Sequence, residues 1–240
     1  MLIKRKEKKI VVEAFAPNGA LIDLFPIERT ENVIPKWYQD LPGKPLDGLN
    51  VKHCPGAKDL FSKGLIIPLW ADYEITLNAN GHGDIKSAMT GVSFPPADTH
   101  SLQFQAAGAW PDYVNIKFNS PWYIWCNEPV EWAWLPPIWW QQDPQEVILA
   151  TGISEYRYQH QTNINTLVKR PTTTKVISLK AGTPMAQLVP LTERNWEFKL
   201  EVMTHEEFAK KFTRWEFSLN PRLTYQKIRS ILEKKNKVTI

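Results

Sequence analysis

The chain has 240 residues, of which 43% are hydrophobic and 22% charged, with a formal net charge of +4. That length makes one large domain or two small ones, with enough chain for a full core. The charge is uneven: Lys4, Arg5, Lys6, Lys8 and Lys9 against Glu7 account for the whole excess, which leaves the rest formally neutral. A nucleic-acid surface shows as a basic face on the folded body. The terminal run therefore reads as a solvated arm, and nucleic acid is not an expected partner.

Two cysteines, Cys54 and Cys126, stand in no metal-like spacing and are too few for a disulfide scaffold. Reduced thiols are expected. No apolar run approaches the ~18 residues of a membrane span. Ile10-Val11-Val12 meets Glu13 at once, so it is no signal-peptide core. The expectation is a soluble intracellular chain with no membrane partner. The 19 prolines and 11 tryptophans favour short strands and tight loops over long helices.

In chain order, Val11, Glu13 and Phe15 alternate on a short strand, and Pro17-Asn18-Gly19 turns the chain. A second apolar run, Leu21 to Phe25, stops at Pro26. Trp37 and Tyr38, bracketed by Pro35 and Pro42, read as an anchor of a loop onto the core rather than a surface site. His53 beside Cys54 invites a nucleophile-and-base pairing, but neighbours on an extended chain point to opposite faces. Tyr73–Leu77 and Val114–Phe118 alternate as half-buried strands. Asn78 to Asp84 is a turn whose glycines lack phosphate-loop spacing.

Six of the eleven tryptophans then lie between Trp122 and Trp140. Exposed tryptophans stack on sugars or bases; a dense aromatic core is the competing reading and the favoured one. Trp132 and Trp134 share a face on a strand, whereas Trp139 and Trp140 cannot both join them. Trp196, Phe198, Leu200 and Val202 form the clearest amphipathic strand. Thr204-His205-Glu206-Glu207 is a capping box that starts a helix with Phe208 and Phe212. Tyr225, Ile228, Ile231 and Leu232 repeat at helical spacing. The expected organisation is a basic tail over 1–10, an all-β body over 11–203 and a helical extension over 204–240. Helices are expected only in that extension.

Within residues 120–190, Gly182-Thr183-Pro184-Met185-Ala186-Gln187-Leu188 resembles the late Gly-Asp-Arg-Ile-Ala-Gln-Leu motif of the dUTPase and dCTP deaminase superfamily. Gly152-Ile153-Ser154-Glu155-Tyr156-Arg157-Tyr158 stands where that family has Gly-Val-Ile-Asp-x-Asp-Tyr, and Pro137 precedes Gly152 by the family's usual interval. The resemblance implies a β-clip, or distorted β-barrel, and a homo-oligomer, with the trimer as the family's common state. It places Glu155 at the water-activating acid and Tyr158 under the sugar, with Trp139, Trp140 and Gln187 as further ligand-contact candidates. The chain also resembles an uncharacterised family of tailed phages of marine bacteria, through Pro35-Lys36-Trp37-Tyr38, Lys52-His53-Cys54-Pro55, Gly64-Leu65-Ile66-Ile67-Pro68-Leu69 and the late motif. That likeness implies the host cytoplasm or the virion as location, and phage structural proteins as partners.

The departures bear on activity. The family's phosphate loop carries Arg, Ser and Gly; here the loop reads Pro137-Ile138-Trp139-Trp140. Thr183-Pro184 replaces the late Asp-Arg, and Pro184 also removes an N–H. No glycine follows Gly182, so a Gly-rich closing arm is missing, and Asn163 to Leu167 lacks the deaminase Glu. A pyrophosphatase needs fixed donors and a metal on its phosphates. The expectation is a non-catalytic binding or assembly protein with no cofactor and no metal site. The alternative is a nucleotide-metabolism enzyme with a site rebuilt around Glu155, Asp59, Asp72 and Arg157, using Mg²⁺, with Lys169 or Arg170 as donors across a subunit interface. Under the first expectation Glu155 is a surface or hydrogen-bonded carboxylate beside Arg157 or a lysine.

Overall fold

The structure, a computed structural model, describes residues 8–43, 50–79, 83–88, 98–99, 111–140, 147–212 and 230. Most of the regular structure is β-sheet, arranged as four open sheets, with a short helix near the C-terminus. The first sheet joins β1 (Ile10–Ala16), β8 (Tyr123–Cys126) and β15 (Trp196–Val202), with β1 parallel to β15 and antiparallel to β8. The second runs β10 (Val147–Leu149), β12 (Ile164–Lys169), β7 (Tyr113–Phe118), β6 (Asp98–Thr99). The third runs β11 (Gly152–Glu155), β9 (Glu131–Leu135), β14 (Pro184–Pro190), β3 (Leu65–Pro68), β2 (Glu28–Arg29). The fourth places β4 (Asp72–Leu77) between β13 (Lys175–Leu179) and β5 (Gly83–Ala88).

The three strongest alternations of the sequence are therefore strands β4, β7 and β15. Period two works there because one face meets the core: Tyr73, Ile75 and Leu77 are buried, as are Val114, Ile116 and Phe118. Half of the tryptophan block is core and the other half is partly buried. Trp122 and Trp132 are fully buried, Trp134 nearly so, and Trp132 meets Trp196 edge-on at 5.3 Å between ring centroids.

The expectation of helices only at the C-terminus is corrected by the first third of the chain. Helices α1 (Gly19–Leu24), α2 (Lys36–Asp40) and α3 (Pro55–Ser62) lie there. Each has a local cause. The Asn18 side chain accepts the Leu21 N–H (3.1 Å) and caps α1, so the apolar run that ends at Pro26 is helical. Pro55 opens α3 at its first turn, where a missing N–H costs nothing. Tyr38 and Phe61, with ring centroids 4.2 Å apart, join α2 to α3 in a small satellite core, against which Trp139 and Trp140 pack. Tyr38 thus anchors its segment, and Trp37 caps the cluster from outside, 5.7 Å from the Trp139 ring.

Past β15, the capping box closes as its residues dictate. Thr204 N–H donates to Glu207 Oε2 (2.9 Å), and Glu207 N–H donates back to Thr204 Oγ1 (3.3 Å). It starts α4 (His205–Phe212), whose Phe208 and Phe212 pack on Phe15. Phe208 also meets Tyr123, and Phe212 meets Trp125. The second expected C-terminal helix lies outside the described residues, save for helical Ser230. Most of the basic tail also lies outside them; Lys9 pairs with Glu197 at 2.5 Å. Among the described residues no helix is long and apolar enough to cross a membrane.

Candidate functional site

The mid and late motifs fall on one sheet, with β9 between their strands. Gly182 turns with φ of +83°, a conformation that suits glycine. Pro184 then starts β14 at the first strand residue, where a missing N–H is tolerated. Gly152–Glu155 is the edge strand β11, with Ser154 opposite Trp132 and Glu155 opposite Glu131. A turn at residues 156–158 is closed by Gln159 N–H donating to the Glu155 carbonyl (3.1 Å).

The residues expected to form a site are dispersed. Glu155 is 4% exposed, which corrects the expectation of a surface carboxylate. It faces inward, near enough to act electrostatically on the Cys126 thiol, as Arg157 also does. Burial is the main cause that pushes this thiol up, so it stays protonated. Asp59 is on α3, held by Lys63 at 3.2 Å. Asp72 is at the start of β4, where Lys180 Nζ (2.8 Å) and the Ala181 N–H (2.9 Å) hold its carboxyl below the usual range. Glu155, Asp59 and Asp72 thus sit on three different elements, β11, α3 and β4, and Asp59 and Asp72 each have a lysine partner. Among the described residues no three His, Cys, Asp or Glu side chains are placed to hold a metal ion.

Three of the ligand-contact candidates, Gln187, Trp139 and Trp140, make hydrogen bonds within the fold. The Gln187 amide is buried and donates to the Leu60 carbonyl at 2.8 Å, which ties β14 to the end of α3. Trp140 Nε1 donates to the Val33 carbonyl (2.6 Å), and the Trp139 carbonyl accepts from Trp37 Nε1 (2.8 Å). The loop where the resemblance implies a phosphate site is thus a 3₁₀ turn bound into the satellite core. Tyr158 is half-buried, with the Arg157 guanidinium 5.3 Å above its ring. His53 caps its own turn, with Nδ1 accepting the Asn50 N–H (3.3 Å), so it makes no pair with exposed Cys54.

A groove of about 430 Å³ lies beside β11, within the size range of ligand sites. One wall is the corner from Leu149 to Ser154, where the chain leaves the sheet of β10 for the sheet of β11. The Ala150 N–H donates to the Asn165 carbonyl (2.9 Å) and closes that corner onto β12. The other wall is a row of amides: Gln159, Gln161, Asn163 and Asn165, with Lys117 beside Asn165 on β7. Trp134 backs the groove, its Nε1 donating to Ser154 Oγ at 3.0 Å.

The amide row is a product of alternation. From Gln159 to Lys169, every second residue turns outward, while His160, Thr162, Ile164, Thr166 and Val168 are buried. The buried face is anchored by Thr162 Oγ1 donating to the Trp122 carbonyl (2.8 Å) and Thr166 Oγ1 donating to the Ile116 carbonyl (2.8 Å). Part of the row is preset: the Asn163 amide donates to Gln161 Oε1 (3.1 Å), and its carbonyl oxygen accepts the Ser120 N–H (2.9 Å). The sequence reading treats this segment only as the place where a deaminase Glu is missing. The period-two run of amides between apolar and hydroxyl residues is the signal that marks it. No protein-family model, no curated protein and no solved structure matches this chain.

Proposed function

We propose that this chain is a non-catalytic binding or assembly protein on a dUTPase-like body, with the amide-lined groove as its ligand site. The likeness to tailed-phage proteins makes it a phage factor in this reading, either a virion component or an early intracellular protein. The observation that carries the binding function is the lining of the groove. Among the described residues it contains four side-chain amides, two hydroxyls and one lysine, and no carboxylate. Amides and hydroxyls recognise by hydrogen bonding, but none is a general acid or base near neutral pH.

Phosphoryl chemistry requires donors fixed around several negative charges, and loss of one such donor costs ~10²–10³ in rate. The 3₁₀ turn at Ile138–Trp140 presents indoles in place of those donors. Glu155, the one acid the resemblance selects, is buried and is not among the described residues of the groove lining. The assay is direct: incubate the protein with dUTP, dCTP and Mg²⁺ and follow pyrophosphate and ammonia. Neither product is expected. Turnover that disappears in Glu155→Gln would overturn the binding-protein reading and put the enzyme in its place.

A further inference from the structure

We propose that the groove binds a saccharide, seated along the amide row with its hydroxyls on Gln159, Gln161 and Asn165. This rests on the groove being the ligand site. Three observations point to that class. The first is charge. Among the described residues of the lining, Lys117 is the one charged side chain, so a polyphosphate would bring several charges to one cation there. A neutral sugar, or one with a single carboxylate near Lys117, matches it.

The second is hydrogen-bonding character. Each side-chain amide offers donor and acceptor together, as a sugar hydroxyl does. The side chains of Gln159, Asn165 and Lys117 make no hydrogen bond or ion pair with another described residue. The Asn163–Gln161 bond holds the middle of the row in place before any ligand arrives, which lowers the ordering cost on binding. At an extended rise the outward positions repeat at roughly 6.6 Å, and the row from Gln159 to Asn165 spans about 20 Å. That is an elongated contact line suited to a chain of sugar units.

The third is the lack of an exposed aromatic platform, on which a base depends for its affinity, whereas a sugar also binds through its hydroxyls alone. The one aromatic among the described lining residues, Trp134, is 7% exposed, with its ring nitrogen already bound to Ser154. Ile153, 64% exposed on the opposite wall, offers an apolar surface against which ligand C–H groups can pack.

The test is a printed glycan array probed with the labelled full chain, with hits titrated by calorimetry. Wild type is compared with Gln161→Ala, Asn165→Ala and Lys117→Gln. All three sites are at least partly solvent-exposed, and thermal unfolding confirms that the variants fold. The expected result is selective binding of a neutral or singly acidic glycan, weakened about tenfold by each amide truncation. Loss on Lys117→Gln confined to acidic glycans identifies the carboxylate arm. A blank array, or binding that all three variants leave unchanged, overturns the saccharide. Deoxyuridine binding that Gln161→Ala abolishes, with no glycan bound, also overturns it but keeps the groove as the site. Hydrolysis of dUTP or dCTP would instead overturn the reading on which the proposal rests.

Discussion

Gly64 and His160 show how single residues hold this architecture. Gly64 has φ of +103°, and a Cβ built there would lie 2.0 Å from the Leu188 carbonyl oxygen on β14. A side chain would meet both backbone strain and a backbone clash, and the Gly64 carbonyl also accepts the Thr30 N–H at 3.1 Å. Gly64→Ala is expected to cost at least ~2 kcal/mol, read as a lower urea midpoint at unchanged slope. His160 is buried beneath Phe208 and Phe212, with Nδ1 3.1 Å from the Ile124 carbonyl. Burial outweighs the two backbone carbonyls that favour its charged form and lowers its pKa to about 4. The unfolded chain therefore takes up the proton first. Stability is full above about pH 6.5 and falls as pH drops toward 4, by up to ~3 kcal/mol, then levels off. Denaturant titrations across that window should show the slope in wild type and its loss in His160→Gln. A wild-type profile as flat as the variant's would refute the assignment.

At the scale of elements, α4 is held at both levels of its construction. The capping box satisfies its first N–H groups, and the Glu207 carboxyl is held below its usual range by the Thr204 backbone and hydroxyl. Its apolar side then joins Phe208 and Phe212 to Phe15, Tyr123 and Trp125 across β1 and β8. Thr204→Ala is expected to cost about 1 kcal/mol. Phe208→Ala, which empties a fully buried site, should cost ~3–5 kcal/mol. Limited proteolysis distinguishes them, with cleavage near α4 expected to accelerate strongly in the second variant and little in the first. The capping box was legible in the sequence because its two partners are three residues apart. The N-terminal helices were not, because α1 is six residues and α2 five, too short for a helical period to emerge. What makes α2 worth forming is a distant contact, Tyr38 on Phe61 of α3.

At the scale of the whole molecule, one sheet combines parallel with antiparallel pairing. β15 returns to lie beside β1, across more than 180 residues of chain. The dUTPase-like reading carries an expectation of a closed homo-oligomer, with three subunits as the number that resemblance implies. Light scattering should return a multiple of the 27.7 kDa chain mass; the monomer mass at micromolar concentration would refute it. The strands β4, β7 and β15, the α4 cap and the shared buried face of Trp132 and Trp134 were determined by local pattern alone. Alternation and capping act over a few residues, so their physical causes are written where the chain can be read. The groove was decided by tertiary structure. Gln159 to Asn165 are unremarkable amides until the Ala150–Asn165 hydrogen bond and the Trp134–Ser154 contact set a second wall against them. The same holds for Glu155 and Gln187, whose motif positions suggested chemistry. Sheet pairing turned one toward the core and tied the other to the Leu60 carbonyl, because burial and partner choice depend on which distant segment arrives opposite.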